Sequence, residues 1–387
     1  MKIFTRDYRV AEDFPAPFNE YFGSMRYCVL DIETTGLRRD NCKVILVGLL
    51  MSTDSGIKVT QFLAENHYEE YKVLDAVLEY IEEEQVDYII TYNGAAFDLP
   101  FLNARLDANF SGCSIDMYDF DLYRFIKLGT DLKSRIGSLS QKSVENYYGI
   151  LEDRGDTISG RESVTMFDEY SLTGNSTLEK IILTHNREDV LHLHRLMHLA
   201  LADVEDMEAA LASYGFPIMD GALSVRPMLK KAGRGATAGW MLRICGDQIK
   251  KPFSAAFFPD QDSPIYASFN ASTKMFEIEV PVSNAAGIDG SLYLDVKSMG
   301  LKSFQIEDAT SPNSADNESK TQNPNYNFSD DPEQVTELKL AGDPENDTEL
   351  KLAGDPDYVN GFLILNSRTI NLAAKLLTET IVKWNNK

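Results

Sequence analysis

Apolar positions in the first half of the chain fall into short runs separated by stretches of helical spacing. RYCVLDIE and KVILVGLLM are runs of strand length, bounded by polar or glycine-containing segments, as buried strands should be. IKVTQFL reads as a third strand. From Tyr68 to Glu84, the spacing of Tyr71, Val73, Leu74, Val77, Leu78 and Ile81 predicts a helix. VDYIITY is a fourth strand, FDLPFLNARL enters a helix, and SIDMYDFDLYRF is a fifth strand running into another helix. SLSQKSVENYYGI and SVTMFDEYSL read as short helices. A longer helix is predicted from about Thr177 through His198, with Asn175 and Ser176 as caps. Three strands on short connections, followed by alternating helices and strands, predict a mixed sheet flanked by helices.

Around Tyr214 to Pro217 the pattern changes. After Trp240 come IYASFNA, KMFEIEVPV and GSLYLDVKSM, with turn signals between them, which predict a mainly antiparallel meander. GFLILN and an amphipathic helix carrying Leu372, Leu376, Leu377, Ile381 and Trp384 follow. The division expected is an extension at 1–25, an α/β domain at 26–212 and an α+β accessory domain at 213–387. A polar insertion at about 308–356 interrupts the second domain and holds the direct repeat TELKLAGDP, at Thr336 and again at Thr348. One duplication is too short for a solenoid, so this stretch is expected to be a disordered surface insertion.

Composition changes this picture in three ways. No apolar run approaches the ~20 residues a membrane helix needs, and MKIFTRDYRVAEDFPAPF lacks the apolar core of a signal peptide, so a cytoplasmic protein is expected. Cys28, Cys42, Cys113 and Cys245 are scattered without a CxxC pair, which argues against a structural zinc site or a disulfide framework. The net charge of −23 opposes indiscriminate binding to phosphate backbones, although Glu307 to Asp357 alone carries 14 acidic against 3 basic residues.

Candidate chemistry resides in three segments. In DIETTGL, Asp31 and Glu33 sit two apart on a predicted strand and so share a face. Two crowded carboxylates are costly, and a hard divalent cation relieves them; the bland alternative is a solvated strand end. In YNGAAFDLPFL, Asn-Gly turns the chain out of the sheet and displays Asp98 at its rim, with Phe97 and Phe101 free to pack or stack. Asp98 could equally cap the helix beginning at Leu99-Pro100. In HNRED, His185 and Asp189 are four apart and neighbours on one helical face, where an imidazole could position a water; a surface His–Asp pair has the same spacing. His192, His194 and His198 fall on other faces and are read as non-functional.

Taken in this order, the three segments resemble the DEDD (DnaQ-like) 3′–5′ exonuclease superfamily, and within it the YprB-type ribonuclease H-like branch, over Tyr27 to Met197. SLSQKSVENYYGI and RGDTISGRE resemble connecting segments of that branch. The resemblance implies an α/β, RNase H-like mixed sheet flanked by helices. It also implies an enzyme that hydrolyses phosphodiester bonds at the 3′ end of single-stranded nucleic acid. Asp31, Glu33, Asp98 and Asp189 match its four metal-binding carboxylates. Thr34, Leu37, Asn93 and Phe97 match positions that hold the terminal nucleotide. His185 has the spacing of the family's tyrosine subtype rather than its histidine subtype. Oxygen ligation suits two Mg²⁺ or Mn²⁺ ions acting on an attacking water and a departing oxygen.

Two other readings stand beside this one: a catalytically silent nucleic-acid-binding module, and an interaction scaffold stabilised by one structural cation. A basic cluster of Arg226, Lys230, Lys231, Arg234, Arg243, Lys250 and Lys251, interleaved with Trp240 and Phe253, could grip a single strand or be an ordinary solvated face.

Overall fold

The apolar runs of the N-terminal half pair with one another in a computed structural model that describes residues 1–9, 14–53, 56–154, 158, 160–232, 239–259, 263–284, 291–296, 299, 357–359 and 362–385. Strands β1 (Lys2–Tyr8), β2 (Tyr27–Thr34), β3 (Val44–Thr53), β4 (Gly56–Leu63), β5 (Tyr88–Thr91) and β6 (Tyr118–Asp121) form one sheet in the order β1-β4-β3-β2-β5-β6. The β1–β4, β4–β3 and β3–β2 pairs are antiparallel, whereas β2–β5 and β5–β6 are parallel. β3 is buried on both faces through its first eight residues, which is why VILVGLLM runs apolar without alternation.

Helices cover both faces. On one, α2 (Glu70–Glu83), α3 (Asp98–Asn109) and α7 (Gly160–Thr173) pack through Val73, Val77, Leu102 and Phe167 against Leu30 and Val47. On the other, α1 (Ala16–Phe22), α4 (Leu122–Gly129), α8 (Ser176–Ala202) and α9 (Met207–Tyr214) bring Phe18, Phe125, Val190 and Leu211 onto Val29, Leu50 and Phe120. Between α4 and α7 lie the short α5 (Leu132–Ile136) and α6 (Gln141–Tyr147). This is a mixed α/β architecture of RNase H-like type. Residues 1–25, read from sequence as an extension, contribute the edge strand β1 and the helix α1; KIFTRDY is half-buried at Lys2, Phe4 and Tyr8 and exposed at its other positions, as suits an edge strand.

The second half is antiparallel. Strands β7 (Phe216–Ile218), β8 (Leu223–Ala232), β9 (Gly239–Gln248), β10 (Ala255–Phe257), β11 (Tyr266–Asn270), β12 (Met275–Asn284), β13 (Leu292–Asp295), β14 (Tyr358–Val359) and β15 (Phe362–Ile364) make the second sheet, followed by α10 (Ser367–Asn385). The meander is present, and the long β8–β9 pair lies beside it, from Leu223 opposite Gln248 to Ala232 opposite Gly239. One apolar cluster runs continuously from the first sheet into the second through Phe216, Val225, Leu242 and Ile381. The Tyr118 hydroxyl donates to the Gly215 carbonyl at 2.9 Å across the same junction. The insertion at 308–356 with its repeat, and Arg234, lie outside the described residues. Among the described residues no helix is long and apolar enough to cross a membrane.

Candidate active site

β2 brings the first two acids to one place. Asp31 lies opposite Gly48 of β3 and Glu33 opposite Leu46, so both side chains leave the same face. The register slips between Glu33 and Thr34, and this bulge ends the pairing next to the acids. The Thr34 hydroxyl donates to the Gly36 carbonyl at 2.8 Å, and the Lys43 amide donates to Thr35 Oγ1 at 2.9 Å, closing the turn. Leu37, at the outside of that turn, is 84% exposed.

Asp98 arrives through the turn after β5. Asn93 adopts a left-handed φ of 65°, and a Cβ on Gly94 would lie 2.3 Å from the Thr91 side chain, so Asn-Gly is what this bend can accommodate. The Asn93 amide donates to Asp121 Oδ1 at 2.8 Å while its side chain is exposed. Phe97 is half-buried against Phe101, with ring centroids 5.5 Å apart. The capping alternative for Asp98 is not what forms: Phe97 holds the cap position without a side-chain bond, and Asp98 is the first helical residue. Its buried carboxylate instead meets the backbone amide of Ile32, the residue between the two β2 acids.

α8 crosses the sheet and supplies the rest. Asn175 caps it by accepting from the Thr177 amide at 2.9 Å. His185 Nε2 lies 3.5 Å from Glu33 Oε1 and 3.7 Å from Asp189 Oδ2. Ligand atoms of Glu33, His185 and Asp189 fall within 4.8 Å of one another, a spacing that could hold a metal ion. Asn186 donates to Asp31 Oδ2 at 2.8 Å and accepts from Gln61 Nε2 at 2.8 Å. A Cβ at position 48 would sit 2.2 Å from Asn186 Oδ1, so the glycine is what lets α8 come down onto β3 here.

Charge in this space is only partly balanced by the protein. Burial first, then the charges of Asp189, Asp98 and Glu33, push the Asp31 carboxyl well above the usual carboxylate range. Glu33 is pushed up to about 7 by burial, although His185 opposes the shift. Asp98 also reaches about 7, again mainly from burial, with Asp121 and Asp189 adding repulsion. Asp121 is itself fully buried, and Asp119 behind it is pushed up to about 8. A donor set rich in carboxylate oxygens, crowded and water-poor, fits a hard divalent cation.

Asp189 differs from the other three. Arg154 donates to its Oδ1 at 2.6 Å and binds the fully buried Glu145 through two further bonds of 2.7 and 2.6 Å. This leaves Asp189 Oδ2 as the oxygen facing His185. His194 and His198 build the interior: His194 Nε2 is 3.1 Å from the Tyr27 hydroxyl and 3.3 Å from His198 Nε2, and His198 stacks on Phe14. Sequence reasoning missed Arg154, Glu145, Asn186 and Gln61. A lone glycine within VILVGLLM was the available signal, since a strand glycine marks close approach of another group.

A family comparison agrees with this architecture. Residues 28–201 match the model of a family described as the RNase H superfamily. Among solved structures, the family B DNA polymerase from the hyperthermophilic archaeon Pyrobaculum calidifontis is similar at 15% identity and a TM-score of 0.36, over 66% of this chain and 34% of that one. The matched part is thus about a third of the polymerase's length. No curated protein sequence matches the chain.

Proposed function

We propose that this protein is a metal-dependent 3′–5′ exonuclease that shortens single-stranded nucleic acid by a two-metal-ion reaction. The observation that carries this reading is the closeness of Asp31, Glu33, Asp98 and Asp189, from β2, α3 and α8, whose charges add to burial in raising the proton affinity of Asp31, Glu33 and Asp98. The match of residues 28–201 to the RNase H superfamily supports it. The four carboxylates would hold Mg²⁺ or Mn²⁺, which when bound supplies Lewis acidity to the attacking water and the leaving 3′ oxygen. His185, held between Glu33 and Asp189, helps to align or activate that water. Asn93 and Phe97 at the turn before α3, with Thr34 and the exposed Leu37, embrace the terminal nucleotide. Residues 26–212 carry the chemistry, and 213–387 form an accessory domain.

The test is release of mononucleotides from 5′- and 3′-labelled DNA and RNA strands with Mn²⁺, beside the Asp98→Ala variant. Equal release by both proteins sinks the reading. The compact Glu33–His185–Asp189 group, with Arg154 already on Asp189, favours a second one, a scaffold holding one structural cation. Calorimetric titration with Mn²⁺ separates them: two coupled ions support the exonuclease, one ion the scaffold.

A further inference from the structure

Helix α8 has an opposite face whose charge is reversed. Lys180, Leu183, Thr184 and Arg187 recur at i, i+3, i+4 and i+7, one stripe of a helix, turned away from the stripe that carries His185 and Asp189. That stripe, the edge strand β1 and Val59 and Gln61 of β4 enclose a cavity of about 470 Å³. Among the described residues, Arg6, Lys180 and Arg187 line it and no carboxylate does, in a chain whose net charge is −23. Arg187 shares its guanidinium with Glu188 at 3.3 Å. Among the described residues, neither Arg6 nor Lys180 has an ion-pair partner.

We propose that this cavity is a phosphate-binding site, distinct from the carboxylate site across the helix. Its volume is that of a small-ligand pocket. Three cations, of which only Arg187 shares its charge with an acid, Glu188, suit a phosphate dianion, and two of them are guanidiniums able to bind phosphate oxygens in pairs. Thr184, on the same wall, adds a hydroxyl, while Phe4, Val59 and Leu183 offer an apolar side for a sugar or base. The phosphate is that of a nucleotide, either free or within a strand. Gln61 sits in the lining and donates both to the Leu183 carbonyl, at 2.9 Å, and to Asn186, which holds Asp31. The cavity therefore adjoins the support of the candidate active site, yet it needs no metal and does not depend on the exonuclease reading.

The experiment is calorimetric titration of the full chain in EDTA with inorganic phosphate, thymidine monophosphate and an eight-residue oligothymidylate. The Arg6→Ala/Lys180→Ala double variant is measured alongside; both side chains are exposed, so the fold is retained, as its melting temperature will verify. Wild type binds the phosphate probes, and the double variant binds them about ten-fold or more weakly. If the oligonucleotide binds no tighter than the mononucleotide, the source is free nucleotide. If it binds much tighter, with a salt slope that falls in the variant, the source is a strand. Equal binding by wild type and variant, or no binding of any probe to wild type, overturns the proposal.

Discussion

The two sheets treat charge in opposite ways. On the second, Arg243 of β9 pairs with Glu277 of the neighbouring β12, and Lys230 of β8 reaches across β9 to Glu279 of β12, so these charges are answered within the sheet. Lys231 lies over the Trp240 ring, 5.2 Å from its centroid. At the end of the first sheet, like charges converge and are withdrawn from water, and their proton affinities rise. Glu70, the first residue of α2 and equally buried, is held by Arg105 through two bonds of 2.8 Å and by the Val44 amide at 2.9 Å. Burial of an acid alone therefore does not mark a site; burial together with other acids does. A charge-paired face is complete in itself, whereas the carboxylate set becomes favourable when a cation joins it.

Asp98→Asn breaks this comparison most directly. Removing one of the converging charges is expected to cut nucleotide release by about 10³-fold or more. It should also raise the melting temperature of the metal-free protein, because a buried repelling charge is lost. A lower melting temperature would show that the acids were not straining the fold. The double variant Glu145→Gln/Arg154→Met comes next. It removes the support of Asp189 without leaving either partner charged and buried. Mn²⁺ affinity should fall about 10- to 100-fold by titration, with little change in melting temperature; unchanged affinity would make Arg154 purely structural.

A third kind of site sharpens the contrast, one in which burial keeps a group neutral. Burial, then the charge of His198, holds His194 down to about 3 from an ordinary 6.5. Between those values the unfolded chain takes up a proton that the folded chain refuses, so this histidine makes stability fall as pH drops from about 6.5 to about 3. Denaturant midpoints measured across that window should lose part of this acid limb in His194→Phe. The smallest effect belongs to the basic cluster. With Lys230 paired and Lys231 on Trp240, charge reversal at both should shift stability by about 1 kcal/mol or less and leave the salt slope of strand binding unchanged. A flattened slope would instead return strand gripping to β8.

Elements whose burial shows in their apolar spacing were legible beforehand. β2, β3, α2 and α8 are of this kind, because a strand covered on both faces and a helix with one covered face each leave a distinct period. The β8–β9 pair was read as a basic cluster, although Val225 and Pro227 alternate with Arg226 and Met228 between buried and exposed positions. Its outward charges obscured a period of two. Similarly, β1 looked like an extension, since an edge strand shares one side with solvent and shows no apolar run.

Local sequence determined which residues lie at strand ends and helix starts, because backbone preference and apolar period act over a few neighbours. It therefore placed Asp31 and Glu33 on one face, Asp98 after a turn and His185 one turn from Asp189. What these acids meet was decided by tertiary structure. Gly48 admits Asn186 to Asp31, the Ile32 amide lies beside Asp98, and Arg154 joins Glu145 to Asp189 from segments far apart in the chain. Coulomb interaction and desolvation depend on distances through space, and those exist once the sheet and α8 have packed.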